Sequence, residues 1–182
     1  LAASEGCSNI IGGAFKNFGY RLSIIPAEAF FADVVFLVEG PSEEMFYKTL
    51  AKQLDIDLDR LNISVMMVDG VGFDAFIRIL GCLGIKWVLR TDNDISKVPN
   101  LNEYSFTGVK RVIDFYENHG IKDANCDSII AKNKDLHRGF PTDSPPQANV
   151  DGMKEVIDVL ALLGSFVSVK DLEADLVNSK IG

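Results

Sequence analysis

The chain has 182 residues, 47% of them hydrophobic, and its 26 acidic and 18 basic side chains give it a net charge of −8. This length and apolar content are sufficient for one compact domain with a hydrophobic core of its own. Stretches of about 18 apolar residues, which would predict a membrane span, are absent from the sequence. The three cysteines are well separated and form no C-x-x-C pair, which argues against a disulfide framework or a zinc site. The same cysteine pattern favours the reducing cytoplasm, and no signal peptide is visible, because no basic start leads into an apolar segment.

The predicted elements alternate between strands and helices, which is the pattern of an α/β fold. Residues 1–27 are predicted to be a lead-in segment, and residues 132–150 an insertion loop. Strands are predicted over residues 34–39, 63–68, 87–91 and 126–131, and helices over residues 42–54, 73–83, 105–118, 153–163 and 172–177.

Helical periodicity predicts which faces of the first two helices are buried. The first helix is expected to bury Met45, Phe46, Leu50 and Leu54, and the second Phe76, Ile77, Leu80 and Leu83.

Two acidic clusters follow predicted strands directly. The first strand runs into Glu39, and Glu43 falls in the first turn of the next helix after Gly40, whose small size allows a tight turn. The third strand runs into Asp92 and Asp94, which face the same side of an extended segment. Parallel strands of an open sheet end at one edge, where ligands bind. Since four carboxylates there would repel one another, we predict a bound divalent cation such as Mg²⁺.

Each acid also has a structural interpretation, which remains open at this point. Glu43 would complement the helix dipole, and Asp92 and Asp94 would cap a turn. For a single residue that interpretation is the stronger one, whereas the combined pattern over two strand ends favours a metal site.

A third turn follows the second strand, at Asp69-Gly70-Val71-Gly72. Gly70 and Gly72 are expected to set the geometry of this turn, and Asp69 is an open candidate for a ligand. The longer G-x-G-x-x-G phosphate-binding pattern is absent.

These three motifs together resemble the signatures of a Toprim domain, the metal-binding module of topoisomerases, bacterial primases and several nucleases. The surrounding residues 28–95 and the segment Asp171–Leu176 are similar to the nuclease half of the OLD (overcoming lysogenization defect) family. The resemblance implies an α/β Toprim fold, with a Rossmann-like parallel sheet of about four strands, helices on both faces and smaller helical additions. It also implies that residues 28–182 form the nuclease domain.

The resemblance further implies a Mg²⁺- or Mn²⁺-dependent DNA endonuclease that cleaves phosphodiester bonds with one or two metals. Glu39, Glu43, Asp92 and Asp94 would be both metal ligands and catalytic groups. In OLD-type nucleases, acids near the end of the domain hold a second metal, and here Glu173 is the first choice and Asp175 the second. Ser168 would be a hydroxyl ligand or a helix N-cap. The family also uses a lysine further downstream, which stabilises charge on the phosphate. In this sequence only Lys180 is available for that role, and it follows Glu173 and Asp175 too closely.

Features of the whole family are also expected. An ATPase domain precedes the nuclease in OLD proteins, and this chain has no P-loop and begins at Leu1, so we expect ATP to act only through a domain outside it. A homodimer or higher oligomer and a role in phage defence are implied in the same way.

The acidic net charge does not steer the chain toward DNA. The best local basic segment contains Lys132, Lys134, His137 and Arg138, although a solvated surface loop explains it slightly better. We therefore expect weak, salt-sensitive DNA binding by this chain alone.

Two other functions remain open from the sequence. One is a Toprim module of primase or RNA-maturation type, which would yield a primer or an RNA product. The other is a non-catalytic interaction domain, which would show no saturable Mg²⁺ or Mn²⁺ binding.

Overall fold

A computed structural model of the chain describes residues 27–68, 72–118, 122–134 and 139–179, together with Asn9, Gly12, Gly13 and Lys16. The chain divides into two compact units, Leu1–Arg90 and Thr91–Gly182. Several sequence candidates lie outside the described residues: Asp69, Gly70, His137, Arg138 and Lys180.

The first unit is built around a short parallel sheet. Its elements in chain order are a 3₁₀ turn (Ala27–Phe30), β1 (Val34–Val38), α1 (Pro41–Gln53), β2 (Ile63–Met67), α2 (Phe73–Leu83) and β3 (Lys86–Thr91). Strand β1 is central and pairs in parallel with both neighbours, from Val34 opposite Ile63 and Lys86. The side chains of Val35, Leu37 and Val38 are completely buried. This apolar strand therefore anchors the core of the unit, and the strands predicted here are confirmed.

The predicted buried face of α1 is wrong at Met45, Leu50 and Leu54, and Phe46 is half-buried. Met45 is 69% exposed and Leu54 59% exposed, whereas the buried residue of the helix is Ala51. Tyr47, one turn before Ala51, contacts the ring of Phe36 on β1 at a centroid distance of 4.8 Å. The helix therefore packs through a small residue and an aromatic one, and its aliphatic residues do not identify its inward face.

The prediction for α2 is confirmed except at its last residue. Phe76, Ile77 and Leu80 are buried, but Leu83 is 42% exposed. The helix ends there because Gly84 takes a left-handed conformation with φ of 69°, which is a common C-terminal signal for glycine.

The second unit is mainly helical. It contains β4 (Ile95–Lys97), β5 (Tyr104–Phe106), α3 (Thr107–Asn118), α4 (Ala124–Lys132), α5 (Gln147–Ala161), β6 (Ser165–Val167) and α6 (Leu172–Asn178). Strands β4 and β5 form an antiparallel pair that the sequence analysis missed. Helix α3 begins at Thr107 and not at Ser105, because Ser105 belongs to that pair.

The predicted fourth strand over residues 126–131 is wrong, because this segment lies in α4. The Asp123 side chain accepts a hydrogen bond from the Cys126 N–H at 2.8 Å and caps the helix. Cys126 and Ile130, four residues apart, are its buried residues. A short apolar run is compatible with either element, and the cap decides for the helix.

The fourth strand is β6, and the strand order of the sheet is β2-β1-β3-β6. The predicted α/β class with a four-stranded sheet is thereby confirmed. Among the helices that the structure describes, none is long and apolar enough to cross a membrane.

Candidate functional site

The turn after β1 carries the first two candidate acids. Glu39 is half-buried, and Gly40 is the N-cap residue of α1. The Glu43 Oε2 atom accepts hydrogen bonds from the Gly40 N–H at 3.1 Å and from the Ser42 hydroxyl at 3.2 Å. Glu43 thus makes the return contact of a capping box. A Cβ atom on Gly40 would lie 3.3 Å from the same oxygen, so the tight contact, and not the backbone conformation, favours glycine.

Asp92 follows β3 and is held from the C-terminal part of the second unit. Its Oδ1 atom accepts hydrogen bonds from the Ser168 hydroxyl at 3.2 Å and from the Leu172 N–H at 3.1 Å. Ser168 is therefore a partner of Asp92 and not the helix N-cap. The N-cap of α6 is Asp171, whose side chain accepts from the Ala174 N–H at 2.7 Å. One carboxylate oxygen of Asp92 is thus fixed by two donors.

Asp94 is exposed, and its backbone is tied to the start of α3. Its carbonyl oxygen accepts hydrogen bonds from the Thr107 N–H at 2.9 Å and from the Thr107 hydroxyl at 2.7 Å. The side chain therefore starts from a constrained backbone position at the surface of the second unit.

Asn93, between the two aspartates, is a buried residue that the sequence analysis missed. It is only 1% exposed, and its Oδ1 atom accepts a hydrogen bond from the Val109 N–H at 3.1 Å. Its Nδ2 group donates to the Met153 sulfur at 2.8 Å. The alternation of side chains in an extended segment was the available signal, because it directs Asn93 opposite to Asp92 and Asp94.

Glu173 and Asp175 lie in the first turn of α6, which begins beside Asp92 at Leu172. Glu173 is exposed and Asp175 is half-buried. Residues two positions apart do not share a helix face, so a single site on this turn would use one of them more directly than the other.

The donor chemistry of these residues fits a hard divalent cation. Across the described residues, no three histidine, cysteine, aspartate or glutamate side chains converge as a ready-made metal cage. Mg²⁺ does not require such a cage, since it keeps several waters and is usually held by one or two carboxylates and the substrate phosphates. The oxygen-only donors at Asp92 and Asp94 suit this open mode of binding.

Two cavities among the described residues do not include the candidate acids in their linings. A cavity of about 730 Å³ in the first unit and one of about 600 Å³ in the second are lined by other residues.

The basic segment is partly neutralised. Lys132 forms a salt bridge with Glu155 at 2.8 Å, and this hydrogen bond, with a second from Asn133, lowers the pKa of the Glu155 carboxyl. Lys134 is exposed. Lys132 therefore lies on a solvated surface, as the alternative interpretation expects, but it is the last residue of α4 and not part of a loop.

Comparison with known proteins identifies related chains. Residues 30–94 match the family described as the overcoming lysogenization defect protein-like TOPRIM domain. The chain is 25% identical over 115 residues to the endonuclease GajA of Bacillus cereus (strain VD045), across 63% of this chain and 20% of that protein.

Two solved structures are similar in fold. The C-terminal region of the Burkholderia pseudomallei OLD protein is 28% identical with a TM-score of 0.54, covering 80% of this chain and 59% of that one. The C-terminal region of the Xanthomonas campestris pv. campestris OLD protein is 26% identical with a TM-score of 0.55, covering 85% and 59%. The chain thus spans 20% of the curated relative and less than two thirds of these solved regions. These matches show that residues 30–94, which include the motifs at Glu39–Glu43 and Asp92–Asp94, are similar to the OLD-like Toprim domain, and that most of the chain is similar in fold to the C-terminal regions of OLD proteins.

Proposed function

We propose that this chain is the nuclease part of an OLD-type protein and cleaves DNA phosphodiester bonds with Mg²⁺ or Mn²⁺. The observation that carries the proposal is the Asp92–Asp94 segment after β3, where an oxygen of Asp92 is fixed by Ser168 and Leu172. A related protein is named an endonuclease, which supports this reaction over the primase-type and non-catalytic alternatives.

In this proposal Glu39, Glu43, Asp92 and Asp94 hold one or two metal ions. Strands β1 and β3 are parallel neighbours, in register up to Leu37 opposite Leu89, and acidic residues follow both strands directly. Glu173, and after it Asp175, is assigned to a second metal because α6 begins beside Asp92.

A bound metal of this kind polarises the scissile phosphate, lowers the pKa of a water and neutralises the leaving oxygen. The chain's own groups have separate tasks. Asp92 presents a carboxylate whose orientation is set by two hydrogen bonds. Glu43 already holds the turn after β1 through its Oε2 atom, so we assign the general base that accepts the water proton to Glu39.

The test is nicking of supercoiled plasmid with Mg²⁺ or Mn²⁺ and an EDTA control. Asp92→Asn keeps an oxygen for Ser168 and Leu172 but removes the charge, so the fold should persist while nicking is lost. Asp158→Asn, an exposed change on α5, is the matched control and should nick at the wild-type rate. Normal nicking by Asp92→Asn would refute the assignment of the site.

The remaining family expectations are proposals for the whole protein. We propose that residues 28–182 form the nuclease domain, that ATP acts through a domain outside this chain, and that the protein is a homodimer or higher oligomer that acts against phage. Light scattering of the full-length protein, with and without ATP, tests the assembly, and a monomer under both conditions would contradict it.

A further inference from the structure

Asn93 joins two parts of the second unit at the point where the candidate metal ligands emerge. We propose that Asn93 is a positioning residue, which fixes Asp92 and Asp94 by docking their backbone onto the first turn of α3. The role in metal binding rests on the proposed function, whereas the positioning itself is a property of the apo fold.

The two ends of the Asn93 side chain bind two different helices, α3 and α5. Its Oδ1 atom accepts from the Val109 N–H, and its Nδ2 group donates to the Met153 sulfur. The N–H groups in the first turn of a helix have no acceptor within the helix. Asn93 therefore acts as a cap for α3 from a position remote in sequence, and at 1% exposure no solvent can replace it.

The backbones of the two segments approach as closely as glycine permits. A Cβ atom on Gly108 would lie 2.1 Å from the Asp92 carbonyl oxygen and 3.0 Å from the Asn93 Cα. On either side, Thr107 donates to the Asp94 carbonyl oxygen and Val109 donates to Asn93. In α3, Thr107 thus binds Asp94 and Val109 binds Asn93. Gly108, between them, lies against the backbone of Asp92.

The same loop is held from the side of α6. The Asn93 N–H donates to the Lys170 carbonyl oxygen at 2.7 Å, next to the Leu172 N–H and the Ser168 hydroxyl that bind Asp92. Asn93 therefore touches both of the segments that position Asp92. Loss of its side-chain hydrogen bonds to α3 and α5 should release Asp92 from Leu172, although the Asn93 side chain forms no hydrogen bond with Leu172.

The Leu172 amide is a reporter of this positioning that needs neither metal nor DNA. Leu172 is the first residue of α6, so its N–H has no acceptor within the helix, and it donates to Asp92 at 3.1 Å. Its hydrogen exchange therefore follows the placement of the Asp92 carboxylate.

The experiment compares the variants N93L and M153L of the complete chain. N93L removes both side-chain hydrogen bonds of Asn93 at similar volume, whereas M153L removes only the sulfur acceptor. We expect exchange at Leu172 and Val109 to accelerate by about tenfold or more in N93L, relative to the Val156 amide in the core of α5, and to stay within about threefold in M153L. We also expect the Kd for Mn²⁺, measured by electron paramagnetic resonance, to rise about 10- to 100-fold in N93L alone.

Each outcome decides between the claims. Unchanged Leu172 exchange in N93L, or equal acceleration in N93L and M153L, would reduce Asn93 to a packing residue and overturn the inference. If N93L does not fold, N93D keeps an oxygen facing the Val109 N–H and should retain Leu172 protection; loss of protection there would also overturn it. If N93L loses Leu172 protection and the wild-type protein neither binds Mn²⁺ nor nicks DNA, the positioning is upheld and the proposed function is refuted.

Discussion

Replacing Gly108 by alanine perturbs the candidate site from the helix side without touching any acid. The new methyl group would lie 2.1 Å from the Asp92 carbonyl oxygen. Carbon and carbonyl oxygen normally approach to about 3.3 Å, so α3 and the loop must separate by about 1 Å.

The expected magnitudes follow from this displacement. Overpacking of this kind costs about 1–3 kcal/mol of unfolding free energy, and the better helix propensity of alanine returns about 1 kcal/mol at most. A net destabilisation of roughly 1–2 kcal/mol should result. Displacement of a catalytic group by about 1 Å lowers a rate by about 100-fold, so plasmid nicking should fall far more than stability.

Urea unfolding gives the stability, and plasmid nicking at saturating Mn²⁺ gives the rate. Gly81→Ala is the matched control, since it lies on α2, is exposed and would have no atom within 4 Å of its new methyl group. That control should be more stable by about 0.5–1 kcal/mol and nick normally. If Gly108→Ala were as stable as the wild type and equally active, the close approach of α3 to Asp92 would be refuted.

Three further predictions concern the core and two titratable groups. Leu37 is fully buried, so Leu37→Ala should lower the unfolding free energy by about 2–5 kcal/mol. Met45 is 69% exposed, so Met45→Ala should lower it by about 0.5 kcal/mol or less. Similar losses for both variants in urea unfolding would contradict the assigned burial. Burial raises the pKa of Tyr116 from 10.0 to about 12, so its stabilising contribution is complete below pH 10 and is lost as the pH rises toward 12. Tyr116→Phe should flatten that alkaline loss of stability, and an unchanged slope would refute it. Burial also raises the pKa of the Cys126 thiol. At pH 8 Cys126 should therefore react with a thiol-alkylating reagent more slowly than half-buried Cys82, as measured by peptide mapping. Equal rates would contradict the burial of Cys126.

The strands of the first unit could be predicted because each is a compact apolar run followed by a polar or glycine-containing turn. Helix α2 was predictable for a similar reason, since Phe76, Ile77 and Leu80 repeat at helical spacing. Local pattern and tertiary burial agree in these elements, so the sequence alone identifies them.

Prediction failed where the buried face depends on shape more than on hydrophobicity. Helix α1 packs through Tyr47 and Ala51 while Met45 and Leu54 face solvent. Periodicity cannot detect this, because aliphatic residues on the outer face carry the same signal as residues in a core. The segment 126–131 failed for another reason, namely that its cap, Asp123, lies outside the apolar run.

The candidate acids belong to the part that the sequence determined. Glu39, Glu43, Asp92 and Asp94 follow predicted strands, and residue type and spacing are local properties that a reader of the sequence can see. The α/β class and the similarity to the OLD-like Toprim domain over residues 30–94 also follow from those local patterns.

Only the tertiary structure decided what holds the acids in place. The partners of the Asp92–Asp94 loop lie at residues 107–109, 153 and 168–172. None of these contacts has a spacing or a composition that marks it, because hydrogen bonds between distant segments form only after the core has brought their backbones together. The sequence therefore determined which groups could do the chemistry, and the packing of α3 and the segment before α6 against one short loop decided the placement of Asp92 and Asp94.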